Sequence, residues 1–447
     1  MLSPQDKISN RSAHIGIIGL GYVGLPLAVA FAKAGFRVTG VDVDGRKVGA
    51  IKAGHSYIPD VPDDDLAPHV QAGRLTATSD YDVLRDVDAV FICVPTPYDA
   101  QRAPDLSYIR AASEGIRPRL KPGQLVILQS TTYPGTTEEV MQPILEQSGL
   151  EAGVDFYLAF SPERIDPGNK QWSAYNTPKV VGGITPECTR LACDLLSQMG
   201  APVHPVSSPR AAELTKLLEN TFRAVNIALV NELALLTERM GIDFWEVIEA
   251  AKTKPFGFMP FTPGPGVGGH CIPVDPYYLS WKAREYDYYT EFIELAGEVN
   301  QAMTYHVVDL VCQGLSLRGK PLREARVLVL GVAFKPDIDD ARNSPAERII
   351  ELLLSRDARV RYHDPYVPRF QVGDDVFHRE AVMLESVPLT EEEIAAADCV
   401  VIVTGHRSLD YAHIVQHADL VVDTCNATAA VSEGREKIVR LGAPMAE

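Results

Sequence analysis

Cys271 stands in the stretch GVGGHCIPVDP, with Gly266, Gly268 and Gly269 before it and Pro273, Asp275 and Pro276 after it. Glycine lets backbone approach a ligand closely, and proline stiffens the exit, so the pattern describes a thiol held at a fixed place. Such a thiol attacks an aldehyde as the thiolate, which needs a neighbouring charge or a partner base. Asp275 and His270 could tune it, although His270 is adjacent and in extended chain points the other way. The other six cysteines, at 93, 188, 193, 312, 399 and 425, lie in apolar strand-like or helix-like settings, where a cysteine acts as a small buried hydrophobe.

Three further groups could do chemistry. Lys216 and Asn220 are four apart in a helical stretch and share a face, which Arg223 continues. An ammonium and an amide together can hold a substrate oxygen and its developing charge. Glu163, in SPERIDPGN (161–169), follows the apolar run DFYLAF, at the end of a strand where parallel sheets bind ligands. Ser130, Thr131 and Thr132 in STTYPGT stand at another strand end. Hydroxyls and a carboxylate there could position a water for hydrolysis.

Gly19, Gly21 and Gly24 form G-x-G-x-x-G between a strand and a helix, and Asp42 closes the next strand about twenty residues on. Glycines admit a pyrophosphate, the helix N-terminus holds it, and the carboxylate binds ribose hydroxyls. An aspartate here favours NAD over NADP, while Lys47 close by could meet an adenosine 2′-phosphate.

The elements around these residues alternate strand and helix, which implies an α/β fold with a parallel sheet covered on both faces. HIGIIG, FRVTGVDVD, VDAVFICVPTP and QLVILQSTTYPG read as strands of a first doubly wound domain. A weaker echo follows residue 320, with strands in ARVLVLGVAF, ARVRYHDPY and DCVVIVTGH, and a last one in ADLVVDTCN. The spacing from Gly331 to Asp398 is close to that from Gly19 to Asp88, but the glycine fingerprint is missing, so this second Rossmann-like domain need not bind a dinucleotide. Between them residues 210–240 contain no glycine or proline, and Leu214, Leu217, Leu218, Phe222, Val225, Leu229, Leu233 and Leu236 recur at helical spacing. The expected architecture is two doubly wound domains joined by a long central helix, divided at 1–205, 206–312 and 313–447.

The bulk numbers bound the function. A chain of 447 residues exceeds one ordinary core, and 46% hydrophobic with 23% charged residues is a globular composition. A net charge of −17 argues against nucleic-acid and anionic-membrane partners. No apolar run approaches membrane-spanning length, the polar start MLSPQDKISNRSAH has no apolar leader segment, and the scattered cysteines lack metal-site spacing. A reducing cytoplasm is the simplest home, and no metal is expected. The long apolar helix points to a homodimer or a higher homo-oligomer.

Taken together, the chain resembles the UDP-glucose/GDP-mannose dehydrogenase family of nucleotide-sugar 6-dehydrogenases. The resemblance runs from GLGYVGLPLA through CVPTP, STTYPGTT, SPERIDPGN, ELTKLLENTFRAVNIALVNE and GGHCIPVDP to GVAFKPDIDDARNSPA. Within the family, KPFGFMPFTPGPGVGGHCIPVDPYYLSWKAREY and IELAGEVNQAM look most like the branch acting on UDP-N-acetylglucosamine. The resemblance implies a four-electron oxidation of a UDP-sugar at C6 with two NAD in turn. Cys271 matches the nucleophile, Lys216 and Asn220 the oxyanion pair, and Asp275 the carboxylate that positions water and tunes the lysine. Glu163 matches an acid–base residue for thioester hydrolysis, with Thr132 near the attacking water. Thr96 and Arg342 match cofactor contacts. Lys335 matches a substrate contact, with Arg223 and the Gly268 backbone as further candidates for substrate. One departure is Cys425 in VVDTCNA, where the family commonly has an arginine; either another basic residue substitutes or the substrate or its affinity differs.

Alternatives with the same chemistry are UDP-glucose and UDP-N-acetylmannosamine as substrates. A two-electron β-hydroxyacid dehydrogenase would share the glycine fingerprint and the lysine–asparagine pair, but needs neither Cys271 nor residues 320–447. A non-catalytic nucleotide-sugar binding protein would not need the thiol.

Overall fold

The computed structural model of the chain describes residues 2–99, 102–165, 171–173, 175–374 and 378–444. They form two compact units, Met1–Glu219 with Tyr277–Tyr288, and Asn220–Pro276 with Tyr289–Glu447.

The first unit is built on β1 (His14–Ile18), β2 (Arg37–Val41), β3 (Leu75–Thr78), β4 (Ala89–Ile92), β5 (Leu125–Leu128), β6 (Tyr157–Phe160), β7 (Lys179–Gly183) and β8 (Val203–Pro205). They lie in the order β3-β2-β1-β4-β5-β6-β7-β8. All five positions of β1 are buried, as expected for a central parallel strand covered on both faces. Ile15 and Ile17 share a core with Phe31, Phe36 and Phe91. The expected all-parallel sheet needs one correction: β6 and β7 pair antiparallel. Among the described residues no helix lies between Phe160 and Lys179, and a parallel return requires a crossover.

The second unit holds β9 (Arg326–Leu330), β10 (Arg359–His363), β11 (Arg369–Val372), β12 (Val382–Glu385), β13 (Cys399–Ile402), β14 (Val421–Asp423) and β15 (Ile438–Arg440). Five of them make a sheet in the order β10-β9-β13-β14-β15, and β11 with β12 makes a separate antiparallel pair. The strand in ADLVVDTCN is therefore not the last: β15 adds beside β14. At three residues it is too short to leave a periodic signature. Helices Glu291–Leu317 and Pro345–Leu354 contribute Val307, Val311, Ile349 and Leu353 to the core over this sheet.

The echo between the halves extends to individual hydrogen bonds. His14 N donates to Asp88 Oδ2 at 2.9 Å and Arg326 N to Asp398 Oδ2 at 2.8 Å. Leu20 N donates to Asp42 Oδ2 at 2.8 Å and Val332 N to Asp364 Oδ2 at 2.7 Å. Gly19 and Gly331 both have positive φ, and a Cβ on either would lie 2.5 Å from a carbonyl oxygen of the neighbouring strand's exit, that of Cys93 or of Thr404.

The helix Pro209–Met240 runs from the first unit into the second. Ala212, Leu217, Ala224, Ala228, Val230 and Ala234 are buried, whereas Leu214, Leu218, Phe222, Leu229 and Leu236 are exposed. Alanines with Leu217 and Val230 seat the helix on its own chain, and the exposed large residues form an apolar stripe on the opposite side. No helix among the described residues is long and apolar enough to cross a membrane.

Candidate active site

The glycine turn gives each of its residues a different task. A Cβ on Gly24 would fall 1.8 Å from the Gly19 carbonyl oxygen, so this glycine lets helix Gly24–Lys33 pack against the turn. Gly21 has nothing within 4 Å of a would-be Cβ; its space is open to a ligand. Val23 precedes the helix without a side-chain cap, Leu25 N already donates to the Gly21 carbonyl at 3.1 Å and Pro26 has no N–H. An anion here would therefore be held by the N–H groups of the turn before them and by the helix dipole. Asp42 is buried at the end of β2, where Oδ2 accepts from Leu20 N and Lys47 Nζ (3.3 Å) and Oδ1 accepts from Asp44 N (2.9 Å). Oδ1 keeps a lone pair for a ribose hydroxyl. Lys47, the one residue that spoke for a 2′-phosphate, is engaged by that carboxylate, which would itself repel a phosphate. The residues present fit NAD.

Thr96 is half-buried after β4, and its carbonyl accepts from the Tyr278 hydroxyl. Thr132 is buried, with its hydroxyl 2.6 Å from Thr136 Oγ1. Because Thr136 spends its proton on the Tyr133 carbonyl, Thr132 is the donor between them and retains acceptor lone pairs.

Glu163 is more tightly committed than the sequence suggests. Oε1 accepts from Arg164 N (2.7 Å), Ile165 N (3.0 Å) and Lys179 Nζ (3.2 Å), and Oε2 accepts from Gln129 Nε2 (2.8 Å) and Lys179 Nζ (3.2 Å). Burial alone would raise its pKa, but the Lys179 ammonium and the two backbone donors hold the carboxyl below its usual range. It is a fixed anion rather than a proton store. The remainder of its motif, residues 166–169, lies outside the described residues.

Lys216 is buried on the long helix in the first unit. One turn before it, Glu213 is buried and accepts from Gly135 N (2.6 Å), Thr137 N (3.0 Å) and Thr137 Oγ1 (2.7 Å). Burial pushes its carboxyl up to about 7, outweighing those donors. Sequence reasoning passed over Glu213 because its partners lie more than seventy residues away.

In the second unit Asn220 and Asp275 meet. Asn220 Nδ2 donates to Asp275 Oδ2 at 2.5 Å, both residues being buried. Asp275 N in turn donates to the Cys271 carbonyl at 2.8 Å, so the helix asparagine, the carboxylate and the cysteine turn form one connected group. Cys271 itself is exposed. His270 lies 3.5 Å from Asp340 Oδ2, and Arg342 grips both Asp340 oxygens at 2.9 and 2.6 Å. Burial opposes ionisation of Asp340, yet Arg342 and His270 hold its carboxyl well below the usual range.

The glycines before Cys271 are required by their own chain. A Cβ on Gly268 would lie 2.8 Å from Phe334 Cβ, 2.9 Å from Asn343 O and 2.9 Å from Pro345 Cδ. Close packing therefore explains Gly268, and only its backbone remains for a ligand. Gly269 sits at φ +88°; its N–H donates to Arg342 O at 3.3 Å and its carbonyl accepts from Asn343 Nδ2 at 3.1 Å. Asn343 thus fastens the turn that carries Cys271, a positioning role hidden inside the motif DDARNSPA.

Lys335 is half-buried in the loop after β9, and Arg223 is exposed on the long helix. Cys425 is half-buried, and desolvation together with Asp423 holds its thiol well above the ordinary range. Next to it, Asn426 Oδ1 accepts from Arg440 at 3.0 Å. Arg440 brings a guanidinium from β15 to the segment that lacks the family arginine, although it is also paired with Asp243.

Comparison with known proteins covers most of the chain. Three models of the UDP-glucose/GDP-mannose dehydrogenase family match: its NAD-binding domain over residues 13–199, its central domain over 210–302 and its UDP-binding domain over 328–430. A UDP-N-acetyl-D-glucosamine 6-dehydrogenase of Pseudomonas aeruginosa is 39% identical over 398 residues, 89% of this chain and 91% of that protein. A UDP-N-acetyl-D-mannosamine dehydrogenase of Pyrococcus horikoshii is 38% identical over 356 residues, 79% of this chain and 84% of that one. Among solved structures, a UDP-D-ManNAc dehydrogenase from Pyrococcus horikoshii superposes with a TM-score of 0.87 at 33% identity, covering 97% of this chain and all of the other.

Proposed function

Because the chain belongs to the UDP-glucose/GDP-mannose dehydrogenase family and is an NAD-dependent nucleotide-sugar dehydrogenase, we propose that it oxidises the C6 alcohol of UDP-N-acetylglucosamine to the uronic acid. The glycine turn and Asp42 would hold NAD, which would supply the hydride acceptor for each of the two oxidations. The C6 alcohol first releases its hydroxyl proton to solvent and a hydride to the cofactor, becoming an aldehyde. Cys271 Sγ adds to that carbonyl, giving a thiohemiacetal whose oxyanion Lys216 and Asn220 stabilise. Loss of the second hydride leaves a thioester on Cys271. Water then attacks, the C–S bond breaks, and the carboxylate leaves with the thiol restored. Two NAD and one water are consumed per sugar.

The single observation that carries the reading is the 2.5 Å hydrogen bond from Asn220 to Asp275. One amide proton goes to the carboxylate, which fixes the amide plane and leaves the second proton free for an oxyanion. The same carboxylate residue is tied through its backbone to Cys271, so the oxyanion donor and the nucleophile's turn are oriented together. Thr132, with its acceptor lone pairs, suits the hydrolytic water. Glu163 joins that step only when Lys179 or Gln129 releases one of its oxygens. Lys335, Arg223 and the Gly268 backbone are assigned to the UDP-sugar, Thr96 and Arg342 to NAD, and the three divisions 1–205, 206–312 and 313–447 to cofactor, catalysis and nucleotide-sugar. UDP rests on the match to the family's UDP-binding domain, and N-acetylglucosamine on the similarity to a dehydrogenase of that substrate.

The exposed stripe of Leu214, Leu218, Phe222, Leu229 and Leu236 supports a homodimer formed through the long helix, since large apolar surfaces on a folded chain mark interfaces. A cytoplasmic location matches the scattered, unpaired cysteine pattern of the sequence.

The test is NADH formed per sugar consumed with UDP-N-acetylglucosamine, UDP-glucose and UDP-N-acetylmannosamine offered separately. Two NADH per sugar, with UDP-N-acetylglucosamine preferred, is the expected result. Preference for another sugar would reassign the substrate, and one NADH per sugar would remove the thioester route.

A further inference from the structure

The chain lacks any cysteine pattern for a metal, yet its second unit brings three other ligands together. Helix Glu391–Ala396 precedes β13 and helix Tyr411–His417 follows it. His413 and His417 are four apart and so project from one face of the second helix, with ring centroids 4.4 Å apart. One ligand atom each from Glu391, His413 and His417 lies within 4.8 Å of the other two. His413 Nε2 stands 3.8 Å from Glu391 Oε1, and His417 Nε2 stands 3.7 Å from Oε2.

These distances exceed a hydrogen bond but suit a shared cation. Bonds of about 2.1 Å in a tetrahedral site put ligand atoms roughly 3.4 Å apart, so the three side chains need only small adjustments. His417 Nδ1 donates to the His413 carbonyl at 3.0 Å, which fixes the neutral tautomer and leaves Nε2 as the lone-pair nitrogen. Both helices are anchored: Asp410 Oδ1 accepts from His413 N, and Thr390 Oγ1 accepts from Glu393 N. Glu391 is exposed and both histidines are half-buried, so hydrated ions have access and water can complete the shell.

We propose that Glu391, His413 and His417 bind one divalent ion of the zinc class, clamping the helix before β13 to the helix after it. Two imidazoles and a carboxylate suit Zn2+, Co2+ or Ni2+, whereas Mg2+ and Ca2+ want oxygen ligands. None of the three residues has a role in the dehydrogenase reading, so the site stabilises the fold. An ion that binds only the folded chain raises the unfolding midpoint in proportion to its occupancy.

The full chain carrying Cys271→Ser, which removes the exposed thiol as a competing ligand, is stripped with a chelator and titrated with Co2+ by visible absorption and with Zn2+ by calorimetry. One equivalent with nitrogen and oxygen ligation and a raised unfolding midpoint is expected. Adding His413→Ala and His417→Ala together should abolish that equivalent, and Glu391→Gln should weaken it at least about tenfold. Circular dichroism of the metal-free variants checks that they fold; because Glu391 is exposed, its variant serves if the histidine pair does not. Titrations identical in the parent, the histidine variant and the Glu391 variant would overturn the proposal, as would a parent that binds no metal.

Discussion

Asn220 on the long helix donates to Asp275 beside the cysteine turn over 2.5 Å, two residues fifty-five positions apart in the chain. The pair is structural and, in the proposed mechanism, also chemical, and the two roles separate by substitution. Asn220→Ala takes one donor from a buried carboxylate, at an expected cost of about 1–3 kcal/mol. Loss of an oxyanion donor should also lower kcat by about 10²–10³-fold. Asp275→Asn keeps an acceptor for the amide, so it should lower kcat with a smaller loss of stability. Thermal unfolding alongside the rate of NADH formation distinguishes them; an Asn220→Ala protein with parental kcat would remove Asn220 from the chemistry.

Gly21 and Gly24 should answer the same mutation in opposite ways. Gly21→Ala meets no atom within 4 Å, so stability should stay within about 0.5 kcal/mol while NAD affinity falls. Gly24→Ala places a methyl 1.8 Å from the Gly19 carbonyl oxygen and should cost about 1–3 kcal/mol or more. NAD titration by fluorescence and thermal unfolding of each variant provide the readouts. Unchanged NAD affinity in Gly21→Ala would mean that the open space is not where the pyrophosphate lies.

Glu163→Gln tests the ion pair with Lys179, whose side chain is fully buried. Removing one partner of a buried pair costs about 3–5 kcal/mol. The folded carboxyl titrates below its ordinary 4.5, so its stabilisation is present above pH 4.5 and is lost as pH falls through the folded value. The gap between parent and variant should therefore be full at neutral pH and close in acid. A gap independent of pH would show that the charge of Glu163 does not stabilise the fold.

Glu213 has the opposite sign. Its folded carboxyl is pushed up from 4.5 to about 7, so the folded state keeps a proton that the unfolded chain releases between those values. Stability is full below pH 4.5 and declines as pH rises through 7. The decline is of the order of 3 kcal/mol. Glu213→Gln cannot ionise, and its unfolding free energy should be flatter across the same window. Equal slopes in parent and variant would place the titration elsewhere.

The sequence by itself determined what is local or periodic. The glycine turn, the strand ends, the long helix and the lysine–asparagine spacing are all set by neighbours within a few residues, where backbone geometry and helical period act directly. The repeat of Gly19 and Asp88 by Gly331 and Asp398 was legible for the same reason, as spacing between strand ends. Tertiary structure decided the partners. Lys179 reaches Glu163 across sixteen positions, Glu213 reaches Thr137 across seventy-six, and Asn343 holds Gly269 across seventy-four. Such pairs leave no mark in the chain because they depend on how packed elements register against each other. The antiparallel turn of β7 and the three-residue β15 were hidden likewise, since each is fixed by the strand already waiting beside it. Whether a carboxylate is a fixed anion like Glu163 or a proton holder like Glu213 was settled by burial and donors, which only the fold supplies.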